Sequence, residues 1–164
     1  MAQEGLKKVN SDCPAFIADA MLGRLARWLR ILGYDTLYNK DITDSELIRI
    51  ARQEDRIILT RDRGITGKKT IRGYILITSD YIADQLREVF QALSMRGIPR
   101  PEPFTRCPVC NSQLQRLTKK EVSGLVPDHV YLNHSEFSGC PSCGRIYWRG
   151  SHEANMRGVL GEIA

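Results

Sequence analysis

Four aspartates in this chain stand where a folded sheet could put them to use as oxygen ligands. Asp19 closes the apolar run Phe16-Ile17-Ala18. Asp62 comes just after Ile57-Ile58-Leu59-Thr60, Asp80 follows Tyr74-Ile75-Leu76-Ile77-Thr78-Ser79, and Asp44, with Glu46 close behind, opens a helical stretch. In an open α/β sheet ligands bind just outside the carboxyl ends of the strands, so acids there face a crevice and not the core. Carboxylates gathered in one crevice repel one another unless a divalent cation lies among them. The expectation is a magnesium- or manganese-dependent site with Asp19, Asp44, Asp62 and Asp80 as catalytic acids and Glu46 as a competitor for Asp44's place. Thr43 with Glu46 also fits a capping box, which would account for Glu46 without any catalysis. No Ser-His-Asp or Cys-His arrangement competes with the acids.

A second group of residues points to a different metal. Cys107-Pro108-Val109-Cys110 and Cys140-Pro141-Ser142-Cys143 are two CxxC turns, each able to present two thiolates to one ion. Together they predict a closed four-thiolate structural zinc site, which has no open position for chemistry and supplies folding energy to a small module. A redox dithiol needs only one CxxC and leaves the other unexplained. His129 and His134 lie between the turns, but Cys107, Cys110, Cys140 and Cys143 already complete the ligand set. Cys13, beside Pro14, reads as a plain thiol.

Positive charge accompanies both groups. The chain of 164 residues has 24 Lys+Arg against 19 Asp+Glu, a net +5, which favours a polyanionic partner. In the helical stretch after Asp19, Met21, Leu22, Leu25, Trp28, Leu29 and Leu32 share one arc, and Arg24, Arg27 and Arg30 share the opposite one. That basic arc is either a solvated face or a rail for a phosphate backbone. Arg61, Arg63, Lys68 and Lys69 make a second basic patch, in a loop around Asp62. Near the end, Trp148, Arg149 and His152 follow Tyr147, an arrangement able to stack on unpaired bases and hold phosphates. Nucleic acid is the partner these residues suggest, with a protein partner for the cysteine module as a further option.

Positioning these residues takes several elements. Strand and helix patterns alternate from residue 15 to residue 96, which argues for a parallel sheet flanked by helices. Gly97-Ile98-Pro99-Arg100-Pro101-Glu102-Pro103 breaks that pattern and reads as a linker over 97–104. The predicted organisation is a polar tail over 1–14, an α/β domain over 15–96, and a zinc-ribbon module over 105–164. No apolar run is long enough to span a bilayer, and the first residues lack a secretory h-region, so a cytoplasmic protein without membrane attachment is expected.

Taken together, FIADAMLGRLARWLRILGYD, ILTRDRG, RCPVCN and CPSCGRIYWRGSH resemble the Mut7-C family, from Phe16 to about Leu160. The resemblance implies a PIN-like α/β domain fused to a zinc ribbon and a metal-dependent ribonuclease activity, with RNA as substrate and acids at strand ends holding Mg²⁺ or Mn²⁺. By motif, Asp19 and Asp62 are the positions it carries over most directly, Asp44 fits its helix-start acid, and Asp80 matches by its place after a strand. The alternative is a non-catalytic RNA-binding or adaptor protein that uses the basic helix and the ribbon.

Overall fold

A computed structural model describes residues 13–68, 71, 73–150, 158 and 161. Two sheets organise them. The first has four parallel strands, β1 (Phe16–Ala18), β2 (Thr36–Tyr38), β3 (Ile57–Thr60) and β4 (Tyr74–Leu76), in the order β2-β1-β3-β4. The second has three antiparallel strands, β5 (Gln115–Leu117), β6 (Phe137–Gly139) and β7 (Ile146–Trp148), in chain order.

Alternation along the parallel strands sorts the helices onto two faces. Phe16, Ala18, Ile57 and Leu59 point to one face and pack against Leu22, Leu25 and Leu29 around α1 (Gly23–Ile31) and against Leu86, Val89, Phe90 and Leu93 of α4 (Ile82–Ser94). Ile17 and Ile58 point to the other face, against Leu47 and Ala51 of α2 (Asp44–Gln53) and Ile65 of the short α3 (Arg63–Thr66). The result is an α/β fold of three layers. β1 and β3 are covered on both faces, which is why they read as unbroken apolar runs.

The chain leaves β1 for β2 through α1, then returns through α2 to β3 on β1's other side. The carboxyl ends of β1 and β3 therefore flank the point where the strand order reverses, the place where open α/β sheets bind ligands. A 3-10 turn over Ala20–Leu22 joins β1 to α1. Tyr38, at the end of β2, donates its hydroxyl proton to the Ala20 carbonyl at 3.0 Å and lies over the start of α1. A Cβ on Gly23 would come within 2.6 Å of the Tyr38 ring. Gly23→Ala is therefore expected to displace Tyr38 and lower stability by about 1–3 kcal/mol, read from chemical denaturation. Wild-type stability in that variant would contradict the packing.

Two helix starts show how their acids are used. Asp44 is the first helical residue of α2, not its cap; Thr43 is the cap and forms the full capping box with Glu46. Asp84 does not cap α4 and instead pairs with Arg87 one turn on. Residues 97–104 lie against the parallel-sheet unit, with Arg100 over the Phe90 ring at 4.3 Å and the Phe104 N–H donating to the Ile31 carbonyl at 2.7 Å. In the second sheet, Val122, Val126, Phe137 and Val130 of α5 (Asp128–Asn133) form a small core of their own.

Candidate active site and metal centre

Asp19 and Asp62 leave the ends of neighbouring strands, and Thr60 ties them together. The buried Thr60 hydroxyl donates to Asp19 Oδ2 at 2.9 Å and accepts from the Asp62 N–H at 3.0 Å. Asp62 Oδ1 accepts from the Gly64 N–H at 2.7 Å, capping α3. Each carboxylate is thus oriented through one oxygen, with its other oxygen left for a ligand. Thr60 was not singled out in the sequence, where it ends a β-branched run and reads as an ordinary strand residue.

The remaining acids have other partners. Asp80 is exposed, and its Oδ1 lies 2.7 Å from Arg61 Nη2. Glu46 accepts from the Thr43 N–H and hydroxyl at 3.1 and 3.0 Å, bonds that hold its carboxyl below the usual range. Asp44 is exposed in the first turn of α2. Among the described residues, no three carboxylates bring their oxygens within 4.8 Å of one another, so the acids do not form a tight knot. The physical reason is local: the cap at Asp62, the box at Glu46 and the ion pair at Asp80 each turn a carboxylate toward its own loop.

An acid that the sequence reading missed holds this edge from behind. Glu88 of α4 accepts from the Thr78 N–H and hydroxyl at 2.9 and 2.5 Å, and from the Ser79 N–H and hydroxyl at 3.1 and 2.9 Å. Gln85 adds a bond from its amide nitrogen to the Ser79 carbonyl at 2.9 Å. The loop that carries Asp80 is therefore fastened to α4. Its only advance signal was a glutamate in the second turn of a helix, which is too common to be informative.

The basic residues divide. Arg24 and Arg27 are exposed on α1, and Arg63 and Lys68 are exposed around α3. Trp148 is 38% exposed, and Arg149 pairs with Glu136 at 3.0 Å. Lys69 and His152 lie outside the described residues. Arg30 does not belong to an open rail. It is 6% exposed, donating to the Thr36 carbonyl at 2.8 Å and to the Pro108 and Val109 carbonyls at 3.2 and 2.8 Å. The cysteine module covers that part of α1, and burial lowers the Arg30 pKa.

The four cysteines converge. Cys107, Cys110, Cys140 and Cys143 bring their sulfurs within 4.8 Å of one another and could hold a metal ion. The Cys107–Cys143 and Cys110–Cys140 sulfur distances are 3.7 and 3.3 Å. Four thiolates at the usual zinc–sulfur distance of a tetrahedral site lie about 3.8 Å apart, so the set fits zinc closely. Two turns of one design build it. In each, the N–H four residues after the first cysteine bonds that cysteine's carbonyl, Asn111 to Cys107 and Gly144 to Cys140, both at 2.9 Å. Asn111 and Gly144 take the left-handed conformation this needs, with φ of 70° and 73°.

Thiols packed this closely cannot all ionise alone. Hydrogen bonding with Ser112 pushes Cys110 down to about 6, while burial pushes Cys140 up to about 11. A bound cation removes the conflict by stabilising every thiolate. The Tyr147 hydroxyl, 3.1 Å from Cys107 Sγ, is placed to donate to that thiolate.

Asn111 also docks the first turn on the parallel-sheet unit. Its Oδ1 accepts from the Thr36 N–H at 3.0 Å and its Nδ2 donates to Asp35 Oδ1 at 2.8 Å. Asp35 is held further by Arg56 at 2.7 Å and Arg106 at 3.6 Å. Burial opposes the charge on Asp35, but Arg56, Asn111 and Arg106 together outweigh it and the carboxyl sits below its ordinary range. A depressed carboxyl stabilises the fold above its unfolded value, near pH 4, and loses that contribution as pH falls through the folded value. Asp35→Asn is therefore expected to melt below wild type at pH 7 by about 1–3 kcal/mol. The gap should narrow steadily as pH falls below about 4, and a gap independent of pH would contradict the charged role.

A three-layer α/β unit is thus docked to a small module whose four cysteines could hold a metal ion. The chain belongs to the Mut7-C RNAse domain family, whose model matches residues 14–160. That match supports a ribonuclease-type function and implies an RNA substrate. No curated protein and no solved structure matches the chain. No helix among the described residues is long and apolar enough to cross a membrane.

Proposed function

We propose that this protein is a metal-dependent ribonuclease of the cytoplasm that hydrolyses RNA phosphodiester bonds at the edge carrying Asp19 and Asp62. The observation that carries the reading is the Asp19–Thr60–Asp62 linkage at the strand-order reversal, in a chain of an RNase-domain family. Mg²⁺ keeps several waters and commonly binds through one or two carboxylates plus substrate phosphates. Two carboxylates, each fixed through one oxygen and presenting the other, suit that habit better than a dense acidic knot would. Asp44 and Asp80 are the candidates for a further ligand, and Glu46 is the poorer one because its carboxylate closes the capping box. When bound, the ion supplies an activated water and charge stabilisation at the phosphate. The protein's own part is to orient Asp19 and Asp62 through Thr60 and to hold the phosphate backbone with Arg24, Arg27, Arg63 and Lys68. In this reading the four cysteines hold a structural zinc, and the ribbon presents Trp148 and Arg149 to RNA.

A second reading, a binding module without catalysis, draws on the same acids. Asp62 caps α3, Glu46 closes a capping box and Asp80 pairs with Arg61, so three carboxylates already have structural work. Incubation of zinc-loaded protein with single-stranded RNA separates the two readings. The enzyme reading expects cleavage that appears with added Mn²⁺ or Mg²⁺ and stops without it. RNA bound but intact at every metal concentration would contradict it and leave the binding module.

A further inference from the structure

Tyr81 stands out among the large hydrophobic side chains left in solvent. It is 77% exposed and makes no cap bond at the start of α4. Single exposed apolar residues are ordinary and by themselves mean nothing. Three features set this one apart. First, the preceding segment is rigidly fastened. Glu88 takes four hydrogen bonds from Thr78 and Ser79, Gln85 takes the Ser79 carbonyl, and the Ile77 N–H donates to the Thr60 carbonyl at 2.8 Å. Second, Asp80, the residue before Tyr81, holds the Arg61 guanidinium at 2.7 Å through its carboxylate. Third, Arg61 sits between Thr60 and Asp62, so bonded contacts lead from Tyr81's loop directly to Asp19.

An aromatic face, a guanidinium and a carboxylate pair on one pre-organised edge match the parts of a nucleotide: base, phosphate and reacting phosphodiester. We propose that Tyr81 is a base-stacking subsite for an unpaired nucleobase of single-stranded RNA, with Arg61 as its phosphate neighbour. The inference rests on the reading of the Asp19–Asp62 edge as the reacting site. Stacking on aromatic rings requires a base that is not already stacked in a helix, and it tolerates any base because every base has a π-face. Tyr81 would therefore select single-stranded over paired RNA without selecting sequence. A ring carried on a fastened loop loses little freedom on binding, which favours affinity.

The test is fluorescence anisotropy of a labelled single-stranded oligoribonucleotide, and of a blunt duplex of the same sequence, with zinc-loaded protein and no added Mg²⁺ or Mn²⁺. Wild type, Tyr81→Ala and Tyr81→Trp are compared. Tyr81→Ala should weaken single-strand binding about tenfold and leave duplex binding unchanged, from the usual loss of one stacked base. Tyr81→Trp should retain wild-type affinity, and its added indole fluorescence should quench as the single strand is titrated in. All three should melt alike, since the side chain is exposed. Equal single-strand affinity of Tyr81→Ala and wild type overturns the proposal, as does an equal loss on both RNAs. Because binding is read without catalytic metal, the outcomes separate. Selective binding lost in Tyr81→Ala by a protein that never cleaves sinks the nuclease reading and keeps the subsite. Metal-dependent cleavage by a protein whose binding ignores Tyr81 does the reverse.

Discussion

Cys107→Ser is expected to lose the metal and to unfold the three-stranded sheet while the parallel sheet stays folded. β5, β6 and β7 have three residues each, and their core is little more than Val122, Val126, Val130 and Phe137. So small an apolar set does not hold a fold in water, whereas a structural zinc contributes on the order of 10 kcal/mol. Cys107 is fully buried, so water cannot replace its sulfur without opening the turn. The loss also reaches α1, because Arg30 keeps a buried charge while the Pro108 and Val109 carbonyls that receive it drift away. An unmatched buried donor costs about 1–3 kcal/mol, so the parallel-sheet unit should melt lower but still cooperatively. Native mass spectrometry reads the zinc and calorimetry reads the two transitions. A variant with full zinc stoichiometry and the wild-type melting profile would contradict the account.

Asp19→Asn is expected to abolish RNA cleavage and to leave the fold unchanged. The asparagine carbonyl oxygen can still accept the Thr60 hydroxyl, so the local geometry survives without the charge that would hold a cation. A ligand of the reacting site removed in this way is expected to lower cleavage by at least about 10²-fold. Stability should move by less than about 0.5 kcal/mol, since no buried partner is left unmatched. Thr60→Val tests the orientation separately, removing the hydroxyl while keeping both carboxylates. A drop of about 10- to 100-fold, the range for groups that orient metal ligands, is expected there. The results to watch for against this are cleavage by Asp19→Asn at the wild-type rate, or a lowered melting temperature that explains its loss.

What could be read in the sequence was whatever depends on near neighbours. β1 and β3 announce themselves because strands covered on both faces are continuously apolar. α1 shows its buried arc, Thr43 and Glu46 form the box their spacing predicts, and the two CxxC turns specify their shared design. What could not be read depends on residues far apart in the chain. Periodicity assigned Arg30 to the polar arc of α1, but not what lies on that arc. Its partners are the Pro108 and Val109 carbonyls, 78 and 79 residues on. Asn111 meets Asp35 across 76 residues, and neither drew notice alone. The same limit hid Glu88, the Arg61–Asp80 pair and Thr60's link to Asp19, which lies 41 residues away. Spacing placed these acids after strands, and tertiary contacts decide which partners each of them takes.

The central claim is that the Asp19–Thr60–Asp62 edge hydrolyses RNA. Its most direct test is parallel incubation of wild type and Asp19→Asn, purified identically and both zinc-loaded, with single-stranded and structured RNAs in Mn²⁺ or Mg²⁺. The account predicts metal-dependent cleavage by wild type, none by Asp19→Asn, and the same RNA affinity in both. Equal cleavage by the two proteins would contradict it.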